Sequence, residues 1–418
     1  MRFGPLLILL IFTACVTGFA GATASPDPIY RVASGSMAPA LLGPHHRLTC
    51  ENCKYSTALD AMQLPESATC PNCGYQENLI DSSAVQPGDG LVWEAIEPDQ
   101  LERWDIVLLE NPDTKQWHVK RVAFLPGETP KIHRGELYRG TQLIRKSPRE
   151  REALKQLAFD QSHSPLDSPR FLSDRSSGSG WNVRRGSIGF APIGDTHAND
   201  NDWLVYHHHR CLPPPSPAGN DTSPLDSYGY NHSVSRELFP MSDLWLEFKC
   251  EHWQARGLTI RLQGDDLTAS IEVDLEHGIV RGSSPAQSVE LPLSIETLSG
   301  ITVRAGEYDG ELFLELASDR QQQYFPLGSA TMQFGSQPFA LKISGGQAIL
   351  RQVNVYRDIV WLGRQRRPTE WTFDRELSPN EIFVLGDNVP VSDDSRYELG
   401  PVDIRKKLRG KVLQVLAE

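Results

Sequence analysis

The stretch Lys120-Arg-Val-Ala-Phe-Leu-Pro-Gly127 places two cations at the start of an apolar segment that ends in a Pro-Gly turn. The apolar residues run from Val119 to Leu125, which predicts a buried β-strand. Side chains alternate between the two faces of a strand, so Lys120 and Arg121 point in opposite directions and only one of them needs to be buried. An arginine stays charged, whereas a buried lysine can lose its proton, so Lys120 is the candidate base.

Short strands and turns surround this segment. Ile106 to Leu109 is an apolar run suited to a buried strand, and Leu137 to Ile144 predicts a hairpin. Far along the chain, Glu381 to Leu385 and Val412 to Leu416 are further apolar strands. A mainly β unit is therefore expected to assemble from distant parts of the chain.

A second β-rich block lies between those parts. Apolar residues recur at every second position in five runs, which begin at Leu244, Leu258, Ile271, Leu312 and Phe339. Turn sequences rich in glycine and aspartate separate the runs. Alternating strands at this spacing predict an antiparallel β-sandwich.

Length and charge limit the function classes. The chain has 418 residues, too many for one compact core, so two or more domains are expected. The formal net charge of −12 argues against nucleic-acid binding and against a polybasic attachment to anionic lipid.

The N-terminus predicts contact with a membrane. Residues 3–25 carry no charged side chain, which is enough to span a bilayer as a helix, and Arg2 favours a cytoplasmic start. The alternative is a cleaved export signal, because Ala22-Thr-Ala24 is similar to a cleavage site. In both cases the rest of the chain is expected to face outward.

Four segments that are far apart in the sequence become informative together. A serine beside glycine usually lies in a turn, and a lone lysine usually faces solvent, so each segment is weak by itself. Because all four occur in one order behind an apolar N-terminus, the set is a much stronger indication of function than any single segment. The segments are Ser34-Gly-Ser-Met-Ala-Pro39, Arg103-Trp-Asp-Ile-Val107, Lys120 to Gly127, and Gly386-Asp-Asn388 with Ser392-Asp-Asp-Ser-Arg396.

These segments resemble the sequence boxes of bacterial type I signal peptidases, serine peptidase family S26, over residues 31–43, 84–145 and 380–418. The resemblance implies that Ser36, directly before a methionine, is the nucleophile and that Lys120 is the general base. It further implies that the Ser34 hydroxyl assists the oxyanion hole and that Ser392 hydrogen-bonds and orients the lysine.

The resemblance also implies structural roles near the site for Asp387 and for an ion pair between Asp394 and Arg396. The chain departs from the family pattern at two places. Val389-Pro390 stands where Arg-Asp is usual, and Trp104 stands where glycine is commoner. The first departure alters a loop beside the site and leaves open that the protein has lost its activity.

A serine–lysine pair has a clear chemical requirement. A serine hydroxyl attacks an amide only if a base removes its proton, and lysine can replace the Ser-His-Asp arrangement. A free lysine has a pKa of about 10.4 and is protonated at neutral pH. Burial disfavours the ammonium form, so the apolar residues around Lys120 are expected to lower its pKa.

Two Cys-x2-Cys pairs are separated by sixteen residues, which is typical of a structural zinc ribbon. Four thiolates form a closed tetrahedral site, so the predicted Zn²⁺ is structural, and no catalytic cofactor is expected. Two disulfides are the alternative, since an oxidising compartment favours them. The predicted ligands are Cys50, Cys53, Cys70 and Cys73.

The expected fold class is mainly β. It combines a signal-peptidase-type β-barrel or sheet core with an inserted zinc ribbon and an inserted sandwich similar to concanavalin or laminin-G folds, behind an N-terminal transmembrane helix. The predicted divisions are 1–24 (anchor), 25–43, 84–150 and 375–418 (catalytic core), 45–80 (zinc ribbon) and 160–365 (sandwich with Pro/Ser-rich linkers).

The function that the resemblance implies is a membrane-bound serine endopeptidase, signal peptidase I, that removes signal peptides from exported preproteins after Ala-X-Ala. Its expected location is the bacterial cytoplasmic membrane, spanned once, with the catalytic part on the outer side. The expected partners are preproteins and the lipid bilayer. The alternative is an inactive or dedicated-substrate homologue that binds a glycan or protein through the lectin-like sandwich.

Overall fold

The computed structural model describes residues 29–165, 167–193, 202–211, 221–329, 331–364, 366–367 and 370–416. Several β-sheets and a few short helices make up these residues, which confirms the mainly β class. The α-helices are Pro148–Leu154 and Ile404–Lys407, and the 3-10 helices are Gly35–Met37, Pro98–Gln100, Gln161–His163 and Gly229–Asn231.

The predicted anchor, residues 1–24, lies outside the described residues. Within the described parts of the chain, none of the helices has the length and apolar character needed to span a bilayer.

The sheet that carries the catalytic candidates is drawn from the whole length of the chain. Its strands run in one open order, so of the two forms expected for the core, barrel or sheet, the described strands form a sheet. The predicted apolar strands at 106–109, 119–125, 381–385 and 412–416 are all confirmed. In spatial order the strands are Tyr30–Arg31, Gly90–Glu94, Leu408–Leu416, Ile106–Glu110, Trp117–Phe124, Glu381–Leu385 and Val402–Asp403.

A smaller sheet extends the core and contains the predicted hairpin. Ile132, Leu137 and Ile144 are buried in one apolar cluster with Trp361, from the segment that follows the sandwich. Its strands, in spatial order, are Gln142–Leu143, Glu136–Arg139, Pro130–His133 and Trp371–Thr372.

Two larger antiparallel sheets enclose the main hydrophobic core between them. The alternating residues singled out in the sequence, such as Leu246 and Ile260, are buried in this core. The first sheet contains Gln156–Asp160, Trp181–Arg184, Ser187–Phe190, Ala348–Arg357, Leu244–Trp253, Thr302–Tyr308, Glu311–Ala317 and Gln322–Ser329. The second contains Phe171–Ser173, Leu204–Tyr206, Phe334–Ser344, Gly257–Gly264, Thr268–Asp274, Ile279–Ser283 and Ser288–Pro292.

The cysteine-containing segment forms two small sheets beside the catalytic sheet. Its ends are held together, because the Asp89 N–H donates to the Leu42 carbonyl at 2.9 Å and the Leu42 N–H donates to the Asp89 carboxylate at 2.7 Å. The insertion therefore leaves and rejoins the core at one point. The strands are Ser56–Asp60, His45–Thr49 and Val85–Gln86 in one sheet and Ser67–Ala68 and Asn78–Leu79 in the other.

Candidate active site

Lys120 lies at the middle of the Trp117–Phe124 strand, where neighbours cover it on both sides. The strand pairs with Ile106–Glu110, with Val107 opposite Lys120, and with Glu381–Leu385 on its other edge. The second neighbour runs directly into Gly386. This pairing brings the lysine and the Gly386 loop together although they are far apart in the sequence.

Ser36 lies in the 3-10 turn Gly35–Met37, after the edge strand Tyr30–Arg31. Met37 is fully buried and packs in a cluster with Leu108 and Val119 from the central strands. The apolar side chain after the serine therefore fixes the turn against the sheet, and the half-buried Ser36 faces Lys120.

The side chains of these two residues are in contact. Lys120 Nζ lies 3.0 Å from Ser36 Oγ, within hydrogen-bonding distance. Lys120 is 3 % exposed. Burial lowers the pKa of Lys120 below that of a free lysine, although the carboxylates of Asp394 and Asp393 offset part of this effect.

Arg121, the neighbour of Lys120, is also buried, so the expectation that only one of the two cations needs burial is too simple. Its guanidinium donates to the Asp387 carboxylate at 2.7 and 2.5 Å and to the Trp104 carbonyl at 2.9 Å. A bidentate carboxylate compensates a buried guanidinium. The two side chains do lie on opposite faces of the strand. On one face burial lowers the pKa of Lys120, and on the other Asp387 compensates the charge of Arg121.

Asp394 and Arg396 form the predicted ion pair. Both are fully buried, and the guanidinium donates to the carboxylate at 2.8 and 2.7 Å. Burial raises the pKa of Asp394, but the Arg396 guanidinium outweighs this and leaves the pKa below its ordinary value. Asp394 also accepts the Gly386 N–H at 3.0 Å, so the pair fixes the loop beside Ser36 and Lys120.

The two auxiliary serines differ in their placement. The exposed Ser34 hydroxyl donates to Ser36 Oγ at 3.4 Å, so it lies next to the hydroxyl of the candidate nucleophile. The Ser392 hydroxyl is buried and has no hydrogen-bond partner among the described residues, so the predicted hydrogen bond to Lys120 is not formed. Its backbone N–H donates to the Asn388 carbonyl at 2.9 Å, and its side chain packs against Gly386.

Asn388 holds the turn of the candidate nucleophile Ser36 in place, a role that the sequence did not reveal. Its backbone N–H donates to the Ser36 carbonyl at 3.1 Å, and its side-chain amide donates to the Gly35 carbonyl at 2.8 Å. Gly386 lies so close that a Cβ there would collide with the Ser36 carbonyl. Gly386 allows the loop to approach the Ser36 turn closely, and the hydrogen bonds of Asn388 hold the loop and the turn together.

A segment of the sandwich insertion, Tyr228–Asn231, completes this support. The amides of Asn231 and Asn388 exchange hydrogen bonds, one of them at 2.8 Å, in a buried pair. The ring of Tyr230 packs against Gly35, and the Tyr228 hydroxyl donates to the Asp387 carbonyl at 3.2 Å.

One feature of the sequence could have indicated that this segment is ordered and packed. Tyr228-Gly-Tyr-Asn231 is an aromatic and glycine pattern inside a stretch otherwise typical of a linker. Its partner in the catalytic core, Asn388, is 157 positions away, so no local pattern links the two.

The four predicted zinc ligands come together. Cys50 Sγ lies 3.6 Å from Cys73 Sγ, and Cys53 Sγ lies the same distance from Cys70 Sγ. All four sulfurs lie within 4.8 Å of one another, and none of them forms a disulfide.

The two cysteine loops share one conformation. The Cys50 N–H donates to the Tyr55 carbonyl and the Cys70 N–H to the Tyr75 carbonyl, both at 2.8 Å. Each loop needs a left-handed residue at the same place, and these are Lys54 and Gly74, with φ of 65° and 81°. Matching loops with converging sulfurs are the geometry of a four-thiolate metal site.

A cavity of about 630 Å³ lies at the start of the Trp117–Phe124 strand that carries Lys120. His118, which lines it, shares a strand face with Lys120 because the two are two positions apart. Tyr30, Trp93 and Trp117 contribute aromatic walls, and Tyr30 stacks on Trp117 with ring centroids 5.7 Å apart.

Comparison with solved structures finds carbohydrate-active proteins with low similarity. They include the galectin LEC-6 of Caenorhabditis elegans (11 % identity, 28 % of this chain, 86 % of that chain, TM-score 0.21) and the carbohydrate-binding module CBM66 of Bacillus subtilis (10 %, 44 %, 94 %, 0.26). A β-glucanase of Bacillus licheniformis is similar at 8 % identity (45 %, 92 %, 0.25). These scores are too low to support an inference about fold or ligand.

Comparison with curated proteins finds no match. The family model described as "Signal peptidase, peptidase S26" matches residues 6–187 and 358–416, which is more than half of the chain. The matched ranges contain Ser36, Lys120 and the Gly386 loop that supports them. The protein therefore belongs to the signal peptidase family, peptidase S26.

Proposed function

We propose that the protein is a membrane-anchored serine endopeptidase that removes signal peptides from exported preproteins after Ala-X-Ala. The observation that carries this proposal is the 3.0 Å contact between Lys120 Nζ and Ser36 Oγ, made by a lysine whose burial lowers its pKa. Membership of the signal peptidase family supports the substrate class.

In the proposed mechanism, the neutral Lys120 amine takes the proton of the Ser36 hydroxyl as the oxygen attacks the scissile carbonyl. Lys120 then returns the proton to the leaving amine, and Ser36 is left as an ester. A water molecule activated by the same amine hydrolyses this ester. Arg121 cannot replace Lys120, since it remains charged and is bound to Asp387.

The oxyanion formed during attack requires donors that are already in position. The proposal assigns this role to the Ser36 backbone N–H and to the Ser34 hydroxyl, which lies 3.4 Å from Ser36 Oγ. One such donor contributes about 3 kcal/mol to the transition state in other serine hydrolases. The Asn388 contacts with Gly35 and Ser36 would keep the turn in the orientation that these donors need.

The proposed location of the protein is the bacterial cytoplasmic membrane. Residues 1–24 would cross the bacterial cytoplasmic membrane once and leave the catalytic part on its outer side. The uncharged stretch of residues 3–25 supports the anchor, and Arg2 supports the orientation.

The proposal also includes one Zn²⁺ held by Cys50, Cys53, Cys70 and Cys73. Four sulfurs bound to one zinc at about 2.3 Å lie about 3.8 Å apart, and the observed 3.6 Å separations fit this value. A disulfide would require about 2.05 Å. Four thiolates fill the coordination sphere, so the metal would stabilise the ribbon and take no part in proteolysis.

A narrower function, cleavage of dedicated substrates, is favoured by one observation. The Tyr228–Asn231 segment, which belongs to the insertion, packs on the nucleophile turn and on the Gly386 loop. A site built partly from an insertion would accept a restricted set of preproteins. This narrower function would be supported if the wild-type protein cleaved some Ala-X-Ala preproteins and not others.

The decisive experiment compares cleavage of an Ala-X-Ala preprotein in detergent by the wild type and by Ser36→Ala and Lys120→Ala. Each substitution should reduce kcat by at least about 10³-fold, because the two residues act as one unit. Lys115→Ala is the matched control, since Lys115 is exposed at the turn before the same strand.

Full activity of either dyad variant would refute the assignment. No turnover by the wild type, with the fold intact, would favour the alternative of an inactive surface-binding protein.

A further inference from the structure

Four carboxylates converge where the sandwich meets the smaller core sheet. Glu136 comes from the hairpin of that sheet, and Asp243, Asp309 and Asp358 come from three ends of sandwich strands. One oxygen from each of the four lies within 4.8 Å of the others. Chain segments with no sequence proximity thus deliver acidic groups to one place.

The positive charge at this place is small. Lys146 Nζ contacts Asp309 and lies 3.2 Å from Asp358 Oδ2 and 4.0 Å from Glu136 Oε2. A fifth carboxylate, Glu307, lines a cavity of about 660 Å³ together with Glu136, Asp243, Asp309 and the cationic Arg134. Among the described residues, Lys146 is the only cation ion-paired with any of the five carboxylates.

Buried polar atoms without hydrogen bonds provide a second and independent observation. Glu307 is 1 % exposed and Tyr308 is 4 % exposed, yet Glu307 Oε1 and the Tyr308 hydroxyl have no hydrogen-bond partner among the described residues. Glu136 Oε2 also lacks a hydrogen bond, whereas Asp358 Oδ2 is ion-paired with Lys146. Buried polar atoms are normally satisfied, so this group of oxygens indicates a missing partner.

The balance of charges agrees with a missing cation. Five carboxylates converge here, and the Lys146 ammonium is the one cation ion-paired with them among the described residues. One ammonium does not balance five carboxylates, so a multivalent cation would offset more of their charge.

We propose that Glu136, Asp243, Asp309 and Asp358 form a binding site for one Ca²⁺, with Glu307 and Tyr308 beside it. Calcium accepts six to eight oxygens at about 2.4 Å, so two of its ligands lie at most about 4.8 Å apart, as they do here. Magnesium usually keeps several of its waters, and a cage of carboxylates suits it less. The ion would fasten the sandwich to the hairpin of the catalytic core.

Calcium itself is the probe in the test. The full-length protein in detergent, dialysed into calcium-free buffer with its zinc retained, is titrated with Ca²⁺. Equilibrium dialysis should yield one bound Ca²⁺ per chain, and the Tm should rise by about 5 °C. Tb³⁺ at the same site should luminesce when tyrosine is excited, because the Tyr308 ring is adjacent, and Ca²⁺ should quench this emission.

Two variants locate the site. Asp243→Asn and Glu307→Gln should each weaken Ca²⁺ binding by at least about 10-fold, and the double variant should abolish it. Asp319→Asn, at an exposed hairpin, is the matched control and should bind as the wild type does.

Wild-type protein that binds no Ca²⁺ would overturn the proposal, and so would a folded double variant that binds normally. An equal response to Mg²⁺ would overturn the choice of calcium. These results do not depend on proteolytic activity, so the site can fail or hold separately from the proposed peptidase function.

Discussion

Trp104 has a left-handed backbone conformation, with φ of 72°, at the position where glycine is commoner in signal peptidases. Its ring stacks on Trp361 with centroids 6.1 Å apart, and its carbonyl accepts a hydrogen bond from Arg121. A side chain in this conformation costs about 1–2 kcal/mol, whereas burial of a tryptophan contributes about 3–5 kcal/mol. The free energy gained by burying the Trp104 ring against Trp361 therefore exceeds the cost of the left-handed backbone.

We expect Trp104→Gly and Trp104→Ala both to destabilise the protein, with Gly about 1 kcal/mol less harmful than Ala. Both variants lose the contact with Trp361, but only glycine relieves the strain. Urea unfolding measures the difference. Equal losses, or a smaller loss for Ala, would mean that the backbone is not strained.

The pH dependence of cleavage should respond to the charge near Lys120. The exposed Asp393 raises the pKa of Lys120 and so opposes the effect of burial. In Asp393→Asn this opposition is lost, the pKa falls further, and more of the neutral amine is present at a given pH. The acidic limb of the kcat/KM profile should move about 0.3 pH unit downward, because solvent screens an exposed charge.

The matched control for this shift is Asp113→Asn, an exposed carboxylate in the turn before the Trp117–Phe124 strand. Its profile should coincide with that of the wild type. A shift to higher pH in Asp393→Asn would contradict Lys120 as the titrating base.

Among elements, the strands that enter and leave the sandwich explain how a large insertion is accommodated. Gln156–Asp160 pairs antiparallel with Ala348–Arg357, and Gln156 lies opposite Arg357. The chain therefore departs from the core and returns to it on adjacent strands. The REREALKQLA sequence at 149–158 predicts one helix, yet the helix ends at Leu154 because the following residues join this long-range pair.

The Tyr228–Asn231 segment carries the element-scale prediction. Asn231→Ala should reduce kcat about 10-fold with little change in KM, because the amide pair with Asn388 positions the nucleophile turn and not the substrate. Asn182→Ala, on an exposed sandwich strand, should leave kcat unchanged. An Asn231→Ala enzyme with normal kcat and raised KM would assign the segment to substrate binding instead.

At the scale of the whole molecule, the sequence predicted the strands and the cysteine cluster better than the contacts between distant segments. The strands of the core and sandwich, and the cysteine cluster, follow from apolar period and spacing. The Asn231–Asn388 pair, the burial of Arg121 and the free Ser392 hydroxyl depend on packing between distant segments, and no local pattern encodes that packing. The predicted domain limits and the roles of the dyad residues stay predictions.

The cysteine-containing insertion should matter to activity because it touches the Tyr228–Asn231 segment and the two residues that follow it. The Thr69 N–H donates to His232 Nε2 at 2.8 Å, the Ser233 hydroxyl donates to the Gln63 carbonyl at 2.7 Å, and Gly229 lies against Pro71. Cys53→Ser with Cys70→Ser should therefore reduce bound zinc from one per chain to none and reduce kcat severalfold.

Metal content by mass spectrometry and preprotein cleavage measure the two effects. Cys250→Ser, in the sandwich core, is the control and should keep its zinc. Unchanged cleavage after zinc loss would separate the ribbon from the active site.

The order of strands in the catalytic sheet also governs when the protein can become active. The Leu408–Leu416 strand lies between Gly90–Glu94 and Ile106–Glu110, and the Glu381–Leu385 strand covers the edge of the lysine strand. Contacts so distant along the chain form slowly. During synthesis, Ser36 and Lys120 emerge before the Glu381–Leu385 and Leu408–Leu416 strands, so the sheet around the two residues is still incomplete at that stage. Under the proposed function, cleavage would therefore begin only once these two strands have paired in the sheet.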